Sequence, residues 1–129
     1  MDDGRRSHGT AMTVGELARR GGVKASTVRF WEDQGLLTSH RTSGNQRRFD
    51  DASLARVEFI RWSQEFGASL QTIGEVLQML PDGTAPGAEV RARASQCWRE
   101  ILDDEARDLQ DRYRRLFQTT PQPAGVPGA

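Results

Sequence analysis

Residues 13–49, TVGELARRGGVKASTVRFWEDQGLLTSHRTSGNQRRF, limit the fold more than any other stretch. Two helix-forming segments flank Gly21-Gly22, where glycine supplies the left-handed conformation that a tight interhelical turn needs. Thr13 followed by Glu16 is a capping-box pattern, so the first helix starts there, with Val14, Leu17 and Ala18 inward and Val23 plugging the corner. The second helix runs from about Ala25 to Gln34 and stops at Gly35. Its buried side takes Val28 and one of Phe30 and Trp31, because helical neighbours point about 100° apart. Phe30 is assigned to packing and Trp31 to the outer edge, with Leu36-Leu37 beneath. Polar alternation around Ser43-Gly44-Asn45 then predicts a hairpin whose ribbon carries His40, Arg41, Arg47 and Arg48. Two short helices, a sharp turn and a basic hairpin are the parts of a winged helix-turn-helix, which sets one helix in a DNA groove with a hairpin beside it.

The remainder reads as helical. Asp50 is placed to cap a helix over 51–66, with Leu54, Val57 and Ile60 at helical spacing and Gly67 closing it. Ser69 caps a helix over 70–80 with Ile73, Val76, Leu77 and Leu80 inward, and Pro81-Asp82-Gly83 stops it. The expected DNA-binding domain is therefore 13–80, followed by a linker at 81–86. From 87 to 118 runs one long helix in which Leu102, Ala106, Leu109, Tyr113 and Leu116 are spaced 4, 3, 4 and 3, a heptad seam. Val90, Ala94, Cys97 and Ile101 extend it less regularly, and the opposite face is charged. Such a seam calls for a second chain, so Ile101 and the five heptad residues are the expected dimerisation contacts. The ends, 1–12 and 119–129, are polar or rich in Pro and Gly and are expected to be disordered. The fold class is mainly α-helical with a small β-hairpin wing and a long dimerisation helix.

Zero net charge at first argues against a polyanionic partner, but the charges are unevenly spread. Residues 13–63 hold nine Lys/Arg against six Asp/Glu, and 64–129 hold seven against ten, so the first half can carry a basic face. Lys24 is the only lysine, every other cation being arginine, the better bidentate partner for phosphate and guanine. No apolar run approaches the roughly 18 residues of a membrane span, and a cytoplasmic protein is expected. A single cysteine excludes an internal disulfide and a thiolate cluster within one chain.

The candidate groove-reading residues are Lys24, Ser26, Thr27 and Arg29, short polar and cationic side chains at the start of the second helix. Arg29 is the first choice for a base edge. Arg19, Trp31, Arg41, Arg47 and Arg48 are assigned to the DNA backbone, the indole N–H of Trp31 meeting a phosphate, and Thr13, Asn45 and Gln46 complete the expected DNA-binding set. Catalysis finds no inventory: His8 lies in the tail, His40 in the hairpin, and no nucleophile–base pair or HExxH occurs, so no enzyme and no cofactor are expected. Cys97 reads as a small buried hydrophobe, with a thiol switch near the dimer interface as the second reading.

TVGELARRGGV, TVRFWEDQGLL, FGASLQTIGEVL and the long last helix together resemble the MerR family of transcription regulators. RTSGNQRRF, LQTIGEVLQMLPDG and WREILD are similar to its SoxR branch. The resemblance implies a homodimer joined by an antiparallel coiled coil on double-stranded promoter DNA. It also implies that the protein distorts an overlong spacer so that RNA polymerase engages both promoter elements. SoxR regulators carry a [2Fe–2S] cluster on a cysteine-rich loop after the coiled coil. Here that region is LFQTTPQPAGVPGA, so the cluster is not carried over. Trp31 also stands where the family usually has Tyr. Two other classes fit a winged helix: an excisionase-like DNA-bending factor and a protein-interaction adaptor.

Overall fold

The computed structural model describes residues 11–118; the disorder expected for 1–10 and 119–129, and His8, lie outside them. The chain order is α1 (Val14–Gly21), α2 (Ala25–Asp33), β1 (His40–Arg41), β2 (Arg47–Arg48), α3 (Asp51–Glu65), α4 (Leu70–Gln78) and α5 (Ala88–Phe117). The mainly helical class with a two-stranded antiparallel wing is observed, His40 pairing with Arg48 and Arg41 with Arg47.

The capping box at α1 forms as its residue types dictate. The Thr13 amide donates to Glu16 Oε1 at 2.9 Å and the Glu16 amide to Thr13 Oγ1 at 3.1 Å. The Thr13 amide bond, more than any other influence, holds the Glu16 carboxyl below the ordinary glutamate pKa. At the other end Gly22 takes φ 73°, and a Cβ there would lie 2.6 Å from Arg61 Nη1, which donates to the Gly21 carbonyl at 3.0 Å. Gly22 thus serves the turn, while Gly21, where a Cβ would lie 2.5 Å from Val57 Cγ1, allows the close approach of α3. Ser69 caps α4 by accepting from the Thr72 amide, whereas Asp50 sits at the N-cap of α3 without a side-chain bond.

The domain begins one residue earlier than the expected boundary. Met12 is buried, and it bridges Phe49 through two backbone bonds of 2.6 and 2.8 Å, adding a third extended segment beside the wing. A methionine at the end of a polar stretch gives no periodic signal, so only the pairing partner reveals it.

On α2 the sequence expectation is inverted. Trp31 is 4% exposed and Phe30 is 50% exposed. The helical angle explains the exchange: Trp31 is three residues from the buried Val28 and about 60° away, while Phe30 is about 160° away, on the opposite face. The core joins Trp31 to Leu17, Val28, Leu36, Leu37 and Phe49 from the winged unit, and continues through Phe59 and Ile60 to Ile73 and Leu77.

The docking face of α5 is also rotated from the expected stripe. Ala94 and Trp98 are its buried residues, and Cys97, expected to be buried, is exposed. Trp98 wins the interior because it has the larger apolar surface and because its indole N–H finds the buried Ser63 hydroxyl at 2.8 Å. Arg91 lies over the rings of Phe59 and Trp62, 5.9 and 5.8 Å from their centroids, pinning the start of α5 to α3. Ile101 packs partly on the core, whereas Leu102, Ala106, Leu109, Tyr113 and Leu116 are exposed.

Candidate nucleic-acid interface

Helix α2 presents its first turn without a side-chain cap and without an acidic residue, so its uncapped amide groups carry the positive end of the helix dipole outward. Lys24, Ser26 and Arg29 are exposed there and Thr27 is half-buried. Arg29 makes no hydrogen bond or ion pair among the described residues, which leaves its whole guanidinium fork available. Phe30 adds an exposed aromatic ring to the same helix, a contact that the sequence reading had assigned to the interior.

The wing is a preorganised ribbon. At its tip Asn45, not Gly44, takes the left-handed conformation, with φ 64°. The Asn45 amide donates to the Thr42 carbonyl and the Thr42 amide to the Gln46 carbonyl, both at 2.8 Å. Arg41 Nη1 donates to the Asn45 carbonyl at 3.2 Å, and Arg48 Nη2 to Gln46 Oε1 at 3.2 Å. Arg48 Nη1 also donates to the Arg47 carbonyl at 3.0 Å, so one donor of Arg41 and two of Arg48 hold the guanidiniums in place and the remaining N–H groups are left for an anionic partner.

Arg47 departs from its assignment. Its Nε is 3.4 Å from Glu32 Oε1 and out of contact with solvent, and Glu32 Oε2 also accepts from the Ser39 hydroxyl. Glu32 therefore fastens the wing to the last turn of the recognition helix, and Arg47 serves that joint. Neither Glu32 nor Ser39 was singled out in the sequence; the one signal was an acidic residue 15 positions before the Arg47-Arg48 pair. Trp31, buried, is withdrawn from the phosphate-contacting set. Thr13 Oγ1 is engaged in its cap, while Arg19 is exposed at the end of α1.

The same surface tests the cofactor of the SoxR branch. A [2Fe–2S] centre needs four ligands, usually thiolates. The sequence has one cysteine, exposed on α5, and no group of three or more His, Cys, Asp and Glu that could hold a metal occurs among the described residues. These residues do not fit the cluster. Beside Cys97, a cavity of about 270 Å³ lies between α4 and α5, lined by Val76, Leu80, Val90 and Ala94.

A short helix exposed at its N-terminus, a braced basic wing and a long helix docked behind them define a winged helix-turn-helix fold. The chain belongs to the MerR family: residues 12–80 match the MerR HTH family regulatory protein, and residues 54–118 match the model described as MerR, DNA binding. The chain is 43% identical over 74% of its length to an HTH-type transcriptional activator SoxR homolog of Chromobacterium violaceum, and it spans 64% of that protein. In structure it is similar to a MerR family transcriptional regulator from Listeria monocytogenes, with TM-score 0.59 and 26% identity over 81% of this chain and 80% of the other. It shares its fold with HiNmlR, a MerR family regulator lacking the sensor domain and bound to promoter DNA, with TM-score 0.57 and 23% identity over 84% and 86% of the two chains.

Proposed function

We propose that the protein acts as a homodimer on a dyad promoter element, each protomer placing α2 in the major groove with its wing on the flanking backbone. The observation that carries this reading is the exposed apolar seam of α5, where Leu102, Leu109, Tyr113 and Leu116 are 40–59% exposed. A soluble helix presents such a row when a second helix covers it. Joining two recognition helices through α5 holds them at one separation, so binding a dyad of different spacing deforms the intervening DNA. This is recognition through deformation as well as contact, with RNA polymerase as the partner that reads the distorted spacer. The reading includes no iron–sulfur redox sensing, supported by the single cysteine. The signal would then enter elsewhere, through a small apolar ligand in the α4–α5 cavity or through the thiol of Cys97 at its rim. An excisionase-like bending factor has less use for so long a seam, and a protein-interaction adaptor has less use for an uncapped, cation-bearing α2.

Arg29→Ala tests the base-reading role. Binding to the preferred site should weaken by about 1–3 kcal/mol, the value of one bidentate base contact, with discrimination lost at one base pair of each half-site. Competition binding against single-base variants measures this; an equal loss on every sequence would make Arg29 a phosphate contact only.

A further inference from the structure

Arg56 is 3% exposed in the middle of α3, a position where an arginine is rarely found without a carboxylate. Asp82 acts on it electrostatically, but the hydrogen bonds of its guanidinium go to backbone. Nε donates to the Thr84 carbonyl at 2.7 Å, Nη1 to the Leu36 carbonyl at 3.0 Å and Nη2 to the Pro81 carbonyl at 3.2 Å. These acceptors belong to two places in the chain: Leu36, just after α2, and the loop between α4 and α5 that holds Pro81 and Thr84. The Pro81–Thr84 turn is itself closed, the Thr84 amide and hydroxyl donating to the Pro81 carbonyl at 3.2 and 2.7 Å, so both carbonyls are presented from one rigid loop. Only a planar fork with separately directed donors spans three such acceptors; an ammonium is a single point.

We propose that Arg56 is the positioning residue that sets the separation of the two recognition helices in the dimer, by tying the end of α2 to the loop from which the dimerisation helix departs. The inference rests on the dimeric reading above. Its leverage is geometric. From Trp98, the last residue of α5 buried against the domain, to Leu116 the helix extends about 27 Å at 1.5 Å per residue. A tilt of about 7° at the domain moves that far end by about 3 Å, close to the 3.4 Å step of one base pair. Arg56 touches neither DNA nor the seam, so its loss acts on spacing and not on contact.

The test uses the dyad that the wild-type protein selects from a random-sequence pool, together with versions whose centre is lengthened or shortened by one and two base pairs. Affinities are measured for wild type, Arg56→Lys and Gly83→Val. Gly83 has φ 76° and no atom within 4 Å of a Cβ position, so the valine strains the turn without a clash and leaves Arg56 intact. Wild type should prefer one spacing by 10-fold or more over its one-base-pair neighbours. Both variants should bind an isolated half-site within about threefold of wild type, while the spacing preference falls to threefold or less. A uniformly weaker but equally sharp profile in both variants would overturn the proposal and leave the dimeric reading intact. A wild-type protein with no spacing preference would overturn both. Arg56→Lys failing to fold still leaves Gly83→Val, whose unchanged profile would also overturn it.

Discussion

Trp98→Ala is expected to remove about 3–5 kcal/mol of stability, the usual cost of deleting a buried indole. Domains of this size hold about 5–15 kcal/mol in total, so the melting transition should fall by many degrees, and α5 should leave α3 before the rest unfolds. The reason is local. Trp98 and Ala94 are the buried side chains of a 30-residue helix, and the Trp98 indole holds the only hydrogen bond between α3 and α5 among the described side chains. Removing it also orphans the Ser63 hydroxyl, which is fully buried. Trp98→Phe separates the two contributions: most of the apolar volume stays, and the loss should shrink to about 1–3 kcal/mol, the cost of the unsatisfied hydroxyl. Circular dichroism melts measure both, and the docking account fails if the alanine variant melts within two degrees of wild type.

The second large effect separates two neighbours. Trp31→Ala should cost about 3–5 kcal/mol, because Trp31 is among the largest side chains of the winged core. Phe30→Ala should change stability by less than about 0.5 kcal/mol, as for other half-exposed surface positions, and yet weaken DNA binding. Chemical denaturation and binding titration of the two variants give a crossed result: one loses the fold, the other the ligand. Two variants that lost stability equally would mean that both rings are structural.

These two residues also mark where sequence reasoning stopped. The capping box of Thr13 and Glu16, the Gly22 turn, the wing and the unbroken helical course of α5 are local patterns, and the structure shows each where its residues predict it. For Phe30 and Trp31 the sequence offered two aromatic neighbours, and the preference for a polar handle at the DNA edge outweighed the angle from Val28 that decided the matter. Met12, Trp98 and Arg56 are non-local. Met12 is held by Phe49, Trp98 by Ser63, and Arg56 by carbonyls 20, 25 and 28 residues away. No periodicity announces a partner at that distance, least of all when the acceptor is a backbone carbonyl. The pairing of Arg47 with Glu32 is hidden for a related reason: a cation in a ribbon gives no sign of a carboxylate 15 residues before it.

The surface itself was more legible than the packing beneath it. Lys24, Ser26 and Arg29 are all exposed at the start of α2, as their residue types predict. Arg41 and Arg48 lie on the ribbon, Arg41 braced by one bond within the wing and Arg48 by two.

The account stands most directly on one measurement: binding isotherms for a selected dyad fragment and for its isolated half-site, across a series of salt concentrations. A dimer with two α2–wing surfaces should bind the dyad as two chains per fragment, at least 100-fold tighter than the half-site. The log–log salt slope should be about −0.9 per phosphate neutralised, and therefore steeper than about −4 for the dyad. Equal affinity for dyad and half-site, or an affinity indifferent to salt, would contradict it.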